Sequence, residues 1–310
     1  MRFASWNVRS LSKDTLAAVC DSIITTRRDV FVAVETWHND VLTSALALAC
    51  PPSYCVIERA RPRSAQHDNT TNTNHGGIAV FYRSTLTVSS VVLPDVSTFE
   101  CLAMSIAGNS HKVILLVVYR PGSAVITQSF YDELEDTVCA VISMNQNFVI
   151  VGDFNVHVDD TSDIHRTRLC CLFDAYGLHQ HVQSSTHDHG HMLDLVMTAD
   201  TTSVFDLQVR KMHKLSDHRS IDFNLPYSVM QKCTRTVITR KWQNFDTDIF
   251  INELANSELV TTVSDDVNYL FDLYNTTLTT LIGEHAAQQR VTRRQQQCAP
   301  WYDAKCHSAK

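Results

Sequence analysis

A chain of 310 residues, 44% of them apolar, is long enough for one large core with an appendage or for two domains. Its formal net charge of −7 falls entirely within residues 1–230, which excludes a polyanion-binding protein that works by overall charge; nucleic acid would be met through a local basic patch or through metal ions on carboxylates. Ten cysteines without framework spacing, an N-terminus MRFASWNV without an apolar leader, and no apolar run near the ~18 residues of a membrane span indicate a reducing, intracellular setting and no membrane partner.

Arg2 to Trp6 reads as a strand that runs into Asn7. Behind Ser12 and Asp14, either of which can cap a helix, Leu16, Val19, Cys20, Ile23 and Ile24 repeat at helical spacing. Asp29 to Val34 is then a second buried strand, ending on Glu35. Strand, helix and strand in so few residues form a right-handed crossover, so Asn7 and Glu35 arrive at the same edge of neighbouring strands. From Tyr54 to Tyr119 the pattern is strands and turns: Tyr54–Glu58, Ile78–Tyr82, Leu86–Leu93, Leu102–Ile106 and Val113–Val118. The polar stretch Ala60 to His75 reads as a surface loop, and Arg59, Arg61 and Arg63 as either a solvated strand face or a nucleic-acid contact. At Tyr119-Arg120-Pro121-Gly122 a turn begins just as a phenol and a guanidinium emerge.

A helix over Ser129–Met144 leads to NFVIVGDFNVH. Phe148–Val151 is an apolar, β-branched run too short for a helix, hence a strand buried on both faces, and it stops at Gly152. Asp153, Asn155 and His157 alternate with Phe154 and Val156, so an extended backbone turns the three polar groups to one side. Thr167–Tyr176 reads as a helix, Met192–Met197 as a strand with Asp194 in its interior, and Val204–Val209 as another strand. Leu215-Ser216-Asp217-His218 precedes a last strand, Ser220–Leu225. After Pro226 the chain turns polar and helical, over Asp246–Ala255 and Val267–Ile282, with no strand-like alternation. Its apolar positions, such as Phe250, Leu254, Leu270, Leu273 and Leu281, are expected to serve a neighbouring domain.

Strand ends thus deliver Asn7, Glu35, Asp153 with Asn155, and Asp217 with His218, while a strand interior delivers Asp194. Oxygen ligands, a histidine and a carboxylate able to orient it are what metal-assisted phosphoester hydrolysis requires. Singly, each has a plainer reading: Asn7 as a turn former, Tyr119 as a rim aromatic. His187, His189 and His191, with His179 and His181 nearby, could suggest zinc, but no cysteine lies at matching spacing.

The motifs SWNVRSL, VETW, GGIAVFYR, VVYRPG, VGDFNVH, THDHGHMLDLVMT and LSDHRSI, in that order, resemble the endonuclease/exonuclease/phosphatase superfamily. Within it they are similar to the apurinic-like endonuclease domain of LINE-type non-LTR retrotransposon polyproteins. The resemblance places such a domain at residues 1–228 and, in 229–310, a helical linker towards a reverse transcriptase, on RKWQNFDTDIF and APWYDAKCHSAK. It implies an α/β fold, a four-layer sandwich of two mostly antiparallel sheets flanked by helices, with a helical C-terminal extension. It also implies Mg²⁺, or Mn²⁺, bound by Glu35 with Asn7 and Asp217 completing or supporting the shell. Asp153 would position or deprotonate water, Asn155 would hold it and the phosphate, His218 oriented by Asp194 would serve the phosphorus, and Tyr119, Arg120 and Ser216 would contact substrate. The implied reaction nicks one strand of double-stranded DNA in the nucleus and leaves a 3′-hydroxyl that primes reverse transcription. Alternatives with the same residues are an abasic-site repair nuclease, a phosphatase or a sphingomyelinase, and, outside enzymes, an inactive host-adopted binding remnant.

Overall fold

The computed structural model of the chain describes residues 1–38, 44–61, 75–107, 112–212, 215–227 and 234–294. Arg63 of the arginine trio lies outside the described residues. Two compact units are present, Met1–Gln231 and Lys232–Lys310.

In chain order the first unit contains β1 (Arg2–Asn7), α1 (Lys13–Thr26), β2 (Val30–Val34), α2 (Ser44–Ala49), β3 (Tyr54–Arg59), β4 (Ile78–Arg83), β5 (Thr87–Val91), β6 (Glu100–Ala107), β7 (Lys112–Tyr119) and α3 (Gln128–Met144). There follow β8 (Phe148–Asp153), α4 (Ile164–Ala175), β9 (Leu178–Gln180), β10 (Asp194–Ala199), β11 (Phe205–Arg210) and β12 (Ser220–Asn224). One sheet runs β11-β12-β1-β2-β4-β3 and the other β5-β6-β7-β8-β10-β9. Each sheet has a single parallel pair, β1 with β2 and β7 with β8, and each pair is joined by a helical crossover; the other pairs are antiparallel. The implied four-layer α/β sandwich is the observed fold. Its middle is a core of residues from both sheets, among them Phe3, Val32, Val34, Val80, Leu115, Val117, Val149, Val151 and Val196. Outside it, α1 and α2 cover one sheet through Val19, Ile23 and Leu46, and α3 and α4 cover the other through Leu134, Val138 and Leu169.

The two-residue period of the strands decides what reaches the joint edge. Phe3 faces the other sheet, so Asn7 does too; Val117 places Tyr119, Val151 places Asp153, and Val196 places Asp194 in the same way. Four polar residues therefore end the inner faces of four strands. Arg59 and Arg61 are engaged within the fold: the Arg59 guanidinium donates to the Cys101 carbonyl at 2.9 Å, and Arg61 pairs with the Glu100 carboxylate.

Glu133 of α3 holds the segment before β6 by accepting from the Ser97 N–H (3.0 Å) and Oγ (2.6 Å) and from the Thr98 N–H (2.9 Å) and Oγ1 (2.6 Å). Burial alone would raise this carboxyl, but those four donors carry it down to about 2. A depressed acid contributes stability above its ordinary value near 4.3, and that contribution fades as pH falls towards the folded value. Glu133→Gln is accordingly expected to cost about 1 kcal/mol at neutral pH, the group being partly screened by solvent, and much less at pH 2.5. Urea midpoints at the two pH values measure it; an equal loss at both would contradict the assignment.

Tyr227 belongs to the first unit. Its ring packs on the inter-sheet core and its carbonyl accepts from the Met1 ammonium at 2.8 Å. We expect residues 1–231 to fold alone, with a single cooperative thermal transition, whereas a cut after Pro226 removes Tyr227 and lowers the midpoint. Insolubility of the 1–231 fragment would show that the remaining residues complete its core.

In the second unit the expected helices appear as α5 (Thr247–Ala255) and α7 (Val267–His285), with α6 (Glu258–Thr261) between them. Asp246 and Asp266 cap α5 and α7, each accepting from two backbone N–H groups. Phe250, Leu254, Leu270, Leu273 and Leu281 are half-buried. The expectation of no strands here is wrong: β13 (Thr234–Arg240) pairs antiparallel with β14 (Gln288–Arg294). TRTVITR and QQRVTRR are β-branched or long-chained but mostly polar, so no apolar alternation marks them.

Candidate active site

Residues at the shared edge of the two sheets converge. The Asn7 amide donates to Glu35 Oε1 at 3.0 Å and to Asp153 Oδ2 at 2.9 Å, so one side chain of β1 ties a carboxylate after β2 to a carboxylate at the end of β8. Its own Oδ1 accepts from the Arg9 N–H at 3.1 Å. Through its amide Asn7 holds in place two of the carboxylates named for the site. Strand period would send Glu35 outward after Val34; a left-handed backbone, φ 54°, brings it back inside. Tyr119 Oη reaches Glu35 Oε1 at 2.8 Å and the His75 carbonyl at 3.1 Å, and its single proton serves one of them at a time. Burial, then the Glu35 carboxylate, push this phenol well above its ordinary value, so it stays neutral.

Asp153 is fully buried and accepts from the Asn155 N–H (2.9 Å) and the Asn155 amide (3.0 Å) as well as from Asn7. Burial, and then the Asp194 carboxylate, raise its carboxyl to about 7 against the pull of His218 and of these donors. His218 Nε2 lies 3.8 Å from Asp153 Oδ2, and His218 Nδ1 lies 2.8 Å from Asp194 Oδ2. Burial would lower the imidazole, but the Asp194, Asp153 and Asp217 carboxylates raise it to about 10, so it is held as an imidazolium. Asp194 is the first residue of β10 and not, as expected, in a strand interior; the Thr186 Oγ1 accepts from both the Leu193 and Asp194 N–H groups there, at 3.0 and 3.1 Å.

Ser216 and Arg120, for which the resemblance implies substrate contact, both hold the frame of the site, and Ser216 also lines a cleft with Arg9 and Asp217. The Ser216 hydroxyl donates to the Asn7 carbonyl at 2.8 Å and accepts from the His218 N–H at 3.1 Å, pinning the loop before β12 onto β1. Arg120, 3% exposed, gives its guanidinium to the carbonyls of Phe154, Asn155, Pro121 and Ala124. The expected emergence of Arg120 at the surface fails because its guanidinium folds back onto four backbone carbonyls of the turns after β7 and β8.

The alternation read through His157 also breaks. Phe154 and Val156 do enter the core, each burial stabilising the turn by about 1.5–3 kcal/mol, and Asn155 between them takes a left-handed backbone, φ 49°. His157 then packs edge-on against His191, ring centroids 4.1 Å apart. The five histidines weighed for zinc disperse: His187 to Asp217, His191 to His157 and Asp159, His179 to Asp200, His181 to Thr198, and His189 beside the His187 ring.

Three groups at this edge were given no role there by the sequence reading, although each stands in a quoted motif, Arg9 in SWNVRSL and Thr186 and His187 in THDHGHMLDLVMT. Arg9 pairs with Asp217 Oδ2, His187 Nε2 lies 3.3 Å from the same oxygen with its ring 4.8 Å from that of His218, and Thr186 anchors Asp194.

The model of the Endonuclease/Exonuclease/phosphatase family matches residues 4–218, from β1 to His218. The chain belongs to that family. No curated protein matches the sequence. Among solved structures, this family member is similar to the endonuclease domain of TRAS1, a telomere-specific non-LTR retrotransposon, at 15% identity and a TM-score of 0.55, over 72% of this chain and 97% of that one. It is similar to the 3′ phosphatase NExo from Neisseria, bound to a product DNA hairpin, at 18% identity and a TM-score of 0.57, over 73% and 100% of the chains. A third likeness is to the AP endonuclease LMAP from Leishmania major, 15% identical with a TM-score of 0.56, over 72% and 86%. At these identities the likeness establishes the fold.

The Endonuclease/Exonuclease/phosphatase family comprises divalent-metal-dependent phosphoesterases, and the residues here fit a hard cation. Among the described residues Asp217 Oδ1 is buried without any hydrogen-bond partner, a costly state for a carboxylate oxygen, and the Asn7 amide and the Tyr119 hydroxyl both reach Glu35 on Oε1. Oxygen donors from few protein groups suit such an ion. When bound, a divalent cation supplies Lewis-acid polarisation of a phosphoryl oxygen. Beside those donors stand the Asp153 carboxyl, raised to about 7, and the His218 imidazolium, 3.8 Å apart, a pair whose chemistry suits general-base and electrostatic roles.

Proposed function

We propose that this protein is a Mg²⁺-dependent DNA endonuclease that hydrolyses one phosphodiester of double-stranded DNA and leaves a 3′-hydroxyl, which primes reverse transcription of a non-LTR retrotransposon. The observation that carries the reaction is the buried Asp153 carboxyl, held by Asn7 and Asn155 and set 3.8 Å from an imidazolium that Asp194 orients. In this reading Asp153 takes the proton of the attacking water while Asn155 fixes the carboxylate and meets the phosphate. His218 stabilises the charge that builds on the pentacovalent phosphorus, and Tyr119 fixes Glu35. Glu35 and Asp217 hold Mg²⁺, with Mn²⁺ as a substitute, and Asn7 supports them. The retrotransposon assignment rests on seven motifs in one order along the sequence. A reverse transcriptase downstream in the same polyprotein is then the partner, and the nucleus the place of action.

Supercoiled plasmid decides it. The purified chain is expected to convert it to open circles in Mg²⁺, with ends that a polymerase extends directly, and EDTA is expected to stop the reaction. Nicking that survives EDTA rules out the metal-dependent mechanism. Cleavage confined to abasic sites assigns a repair nuclease instead, and hydrolysis of small phosphate esters without nicking assigns a phosphatase.

A further inference from the structure

Beyond the catalytic edge, the segments that follow β8 and precede β10 continue side by side. The Phe154 N–H donates to the Leu193 carbonyl at 3.0 Å and the Val158 N–H to the Met192 carbonyl at 3.2 Å. Between those two bonds the first segment bulges, with Asn155 in left-handed backbone, and a turn closed by the Asp160 N–H on the His157 carbonyl at 3.1 Å brings Asp159 over the second segment, where it accepts from the Met192 N–H at 2.7 Å. His157 and Asp159 are two apart on one segment, and His191 stands across from them on the other. The His157 and His191 rings meet at 4.1 Å with planes 82° apart, and His191 Nδ1 lies 3.4 Å from Asp159 Oδ2. One ligand atom from each of the three lies within 4.8 Å of the others.

We propose that His157, Asp159 and His191 form a zinc site that clamps these two segments together, separate from the hard-cation site at Glu35. Two imidazoles and one carboxylate are a donor set for Zn²⁺ and not for Mg²⁺, which takes oxygen ligands. Zinc bonds of about 2.0–2.2 Å in a tetrahedron hold their donors roughly 3.3–3.5 Å apart. The His191–Asp159 pair already stands at 3.4 Å, and the His157 ligand atom lies within 4.8 Å of both, so a small closing movement completes the set. Asp159 is oriented for the task, because its Oδ1 accepts from the Met192 N–H at 2.7 Å and leaves Oδ2 to the metal. His191 and Asp159 are each more than one-third exposed at the side chain, which gives zinc an entry path and leaves the fourth position to water.

The clamp has a defined reach. The His191 carbonyl accepts from the Thr186 and His187 N–H groups, at 2.9 and 3.0 Å, and closes the turn that carries both. Thr186 in turn holds the start of β10. A metal across His157 and His191 therefore fixes, through backbone alone, the two segments that carry Asn155 and the Asp194 anchor. This positions catalytic groups without touching substrate.

Zinc binding by the full chain is measured by competition with a chromophoric chelator in excess Mg²⁺, with Co²⁺ absorption as the second readout. We expect one equivalent of tightly bound Zn²⁺, a Co²⁺ spectrum free of thiolate charge-transfer bands, and a rise in thermal midpoint on loading. His157→Ala, Asp159→Asn and His191→Gln should each weaken binding at least tenfold, and His187→Ala should leave it unchanged. Asp159 and His191 are more than one-third exposed at the side chain, and far-UV circular dichroism on every variant shows whether the fold is kept; the Co²⁺ spectrum of the unaltered chain tests the ligand set without any variant. Three results overturn the proposal: no zinc uptake, thiolate bands in the Co²⁺ complex, or affinity that follows His187 and not His157 and His191.

Discussion

Asp194→Asn is expected to leave the fold intact and to lower nicking by about 10²–10⁴-fold, the range associated with a mis-set acid–base group. Asparagine keeps the shape, and its Oδ1 still accepts from His218 Nδ1, now 2.8 Å from Asp194 Oδ2. What disappears is the charge, the first among the influences that raise His218 to about 10. The sign follows directly. With Asp194 present, the imidazolium persists up to about pH 10; without it, burial and a lost partner move the imidazole down towards its ordinary value near 6.5, so the proton leaves at lower pH. The alkaline limb of the pH–rate profile should therefore move to lower pH in Asp194→Asn. His218→Ala alone should cost a similar factor, and the double variant little more than either, since the two side chains work through one another. Fully additive losses, or an alkaline limb that stays in place, would show that Asp194 does not act through His218.

The largest structural effect is expected at Gly152. It is not the end of its strand, as the sequence pattern had it, but a paired residue within β8, opposite Val118 in the parallel ladder with β7. Its φ of 139° is one that residues with a side chain rarely adopt, and a Cβ built there would stand 1.9 Å from the Val118 carbonyl oxygen. Backbone strain of about 1–3 kcal/mol adds to the cost of forcing two central strands apart. Gly152→Ala should thus cost at least about 3 kcal/mol and, being next to Asp153, reduce activity in whatever fraction still folds. Chemical denaturation measures the first and nicking per folded molecule the second. A loss below about 1 kcal/mol would mean that β7 and β8 part easily and that the close approach is not a constraint.

Much of this was legible because strands have a two-residue period. Once Val117, Val151 and Val196 are assigned to the interior, Tyr119, Asp153 and Asp194 follow them to the same face, and the crossover from β1 to β2 brings Asn7 beside Glu35. Where the period is interrupted, the sequence is mute. Glu35 and Asn155 reach the site through left-handed backbone, which no residue pattern announces. A Pro-Gly turn after Arg120 predicts exposure, yet a long side chain can fold back onto the carbonyls of that turn, and sequence carries no sign of it. Thr186 serves two N–H groups from a distant loop, and a hydroxyl used in that way has no periodicity to detect. β13 and β14 were missed for a related reason: a two-stranded ribbon with little core needs no apolar alternation.

That ribbon has a consequence for chain length. Thr234 pairs with Arg294, so the chain leaves residue 294 about 5 Å from where it arrived at residue 234. The whole helical segment between them is short-circuited and adds almost nothing to end-to-end distance. The helices α5, α6 and α7 lie within a loop closed by the ribbon, and residue 294 stays beside residue 234 however they move. Unzipping β13 from β14 would open that loop and let its two ends separate by many ångströms at once.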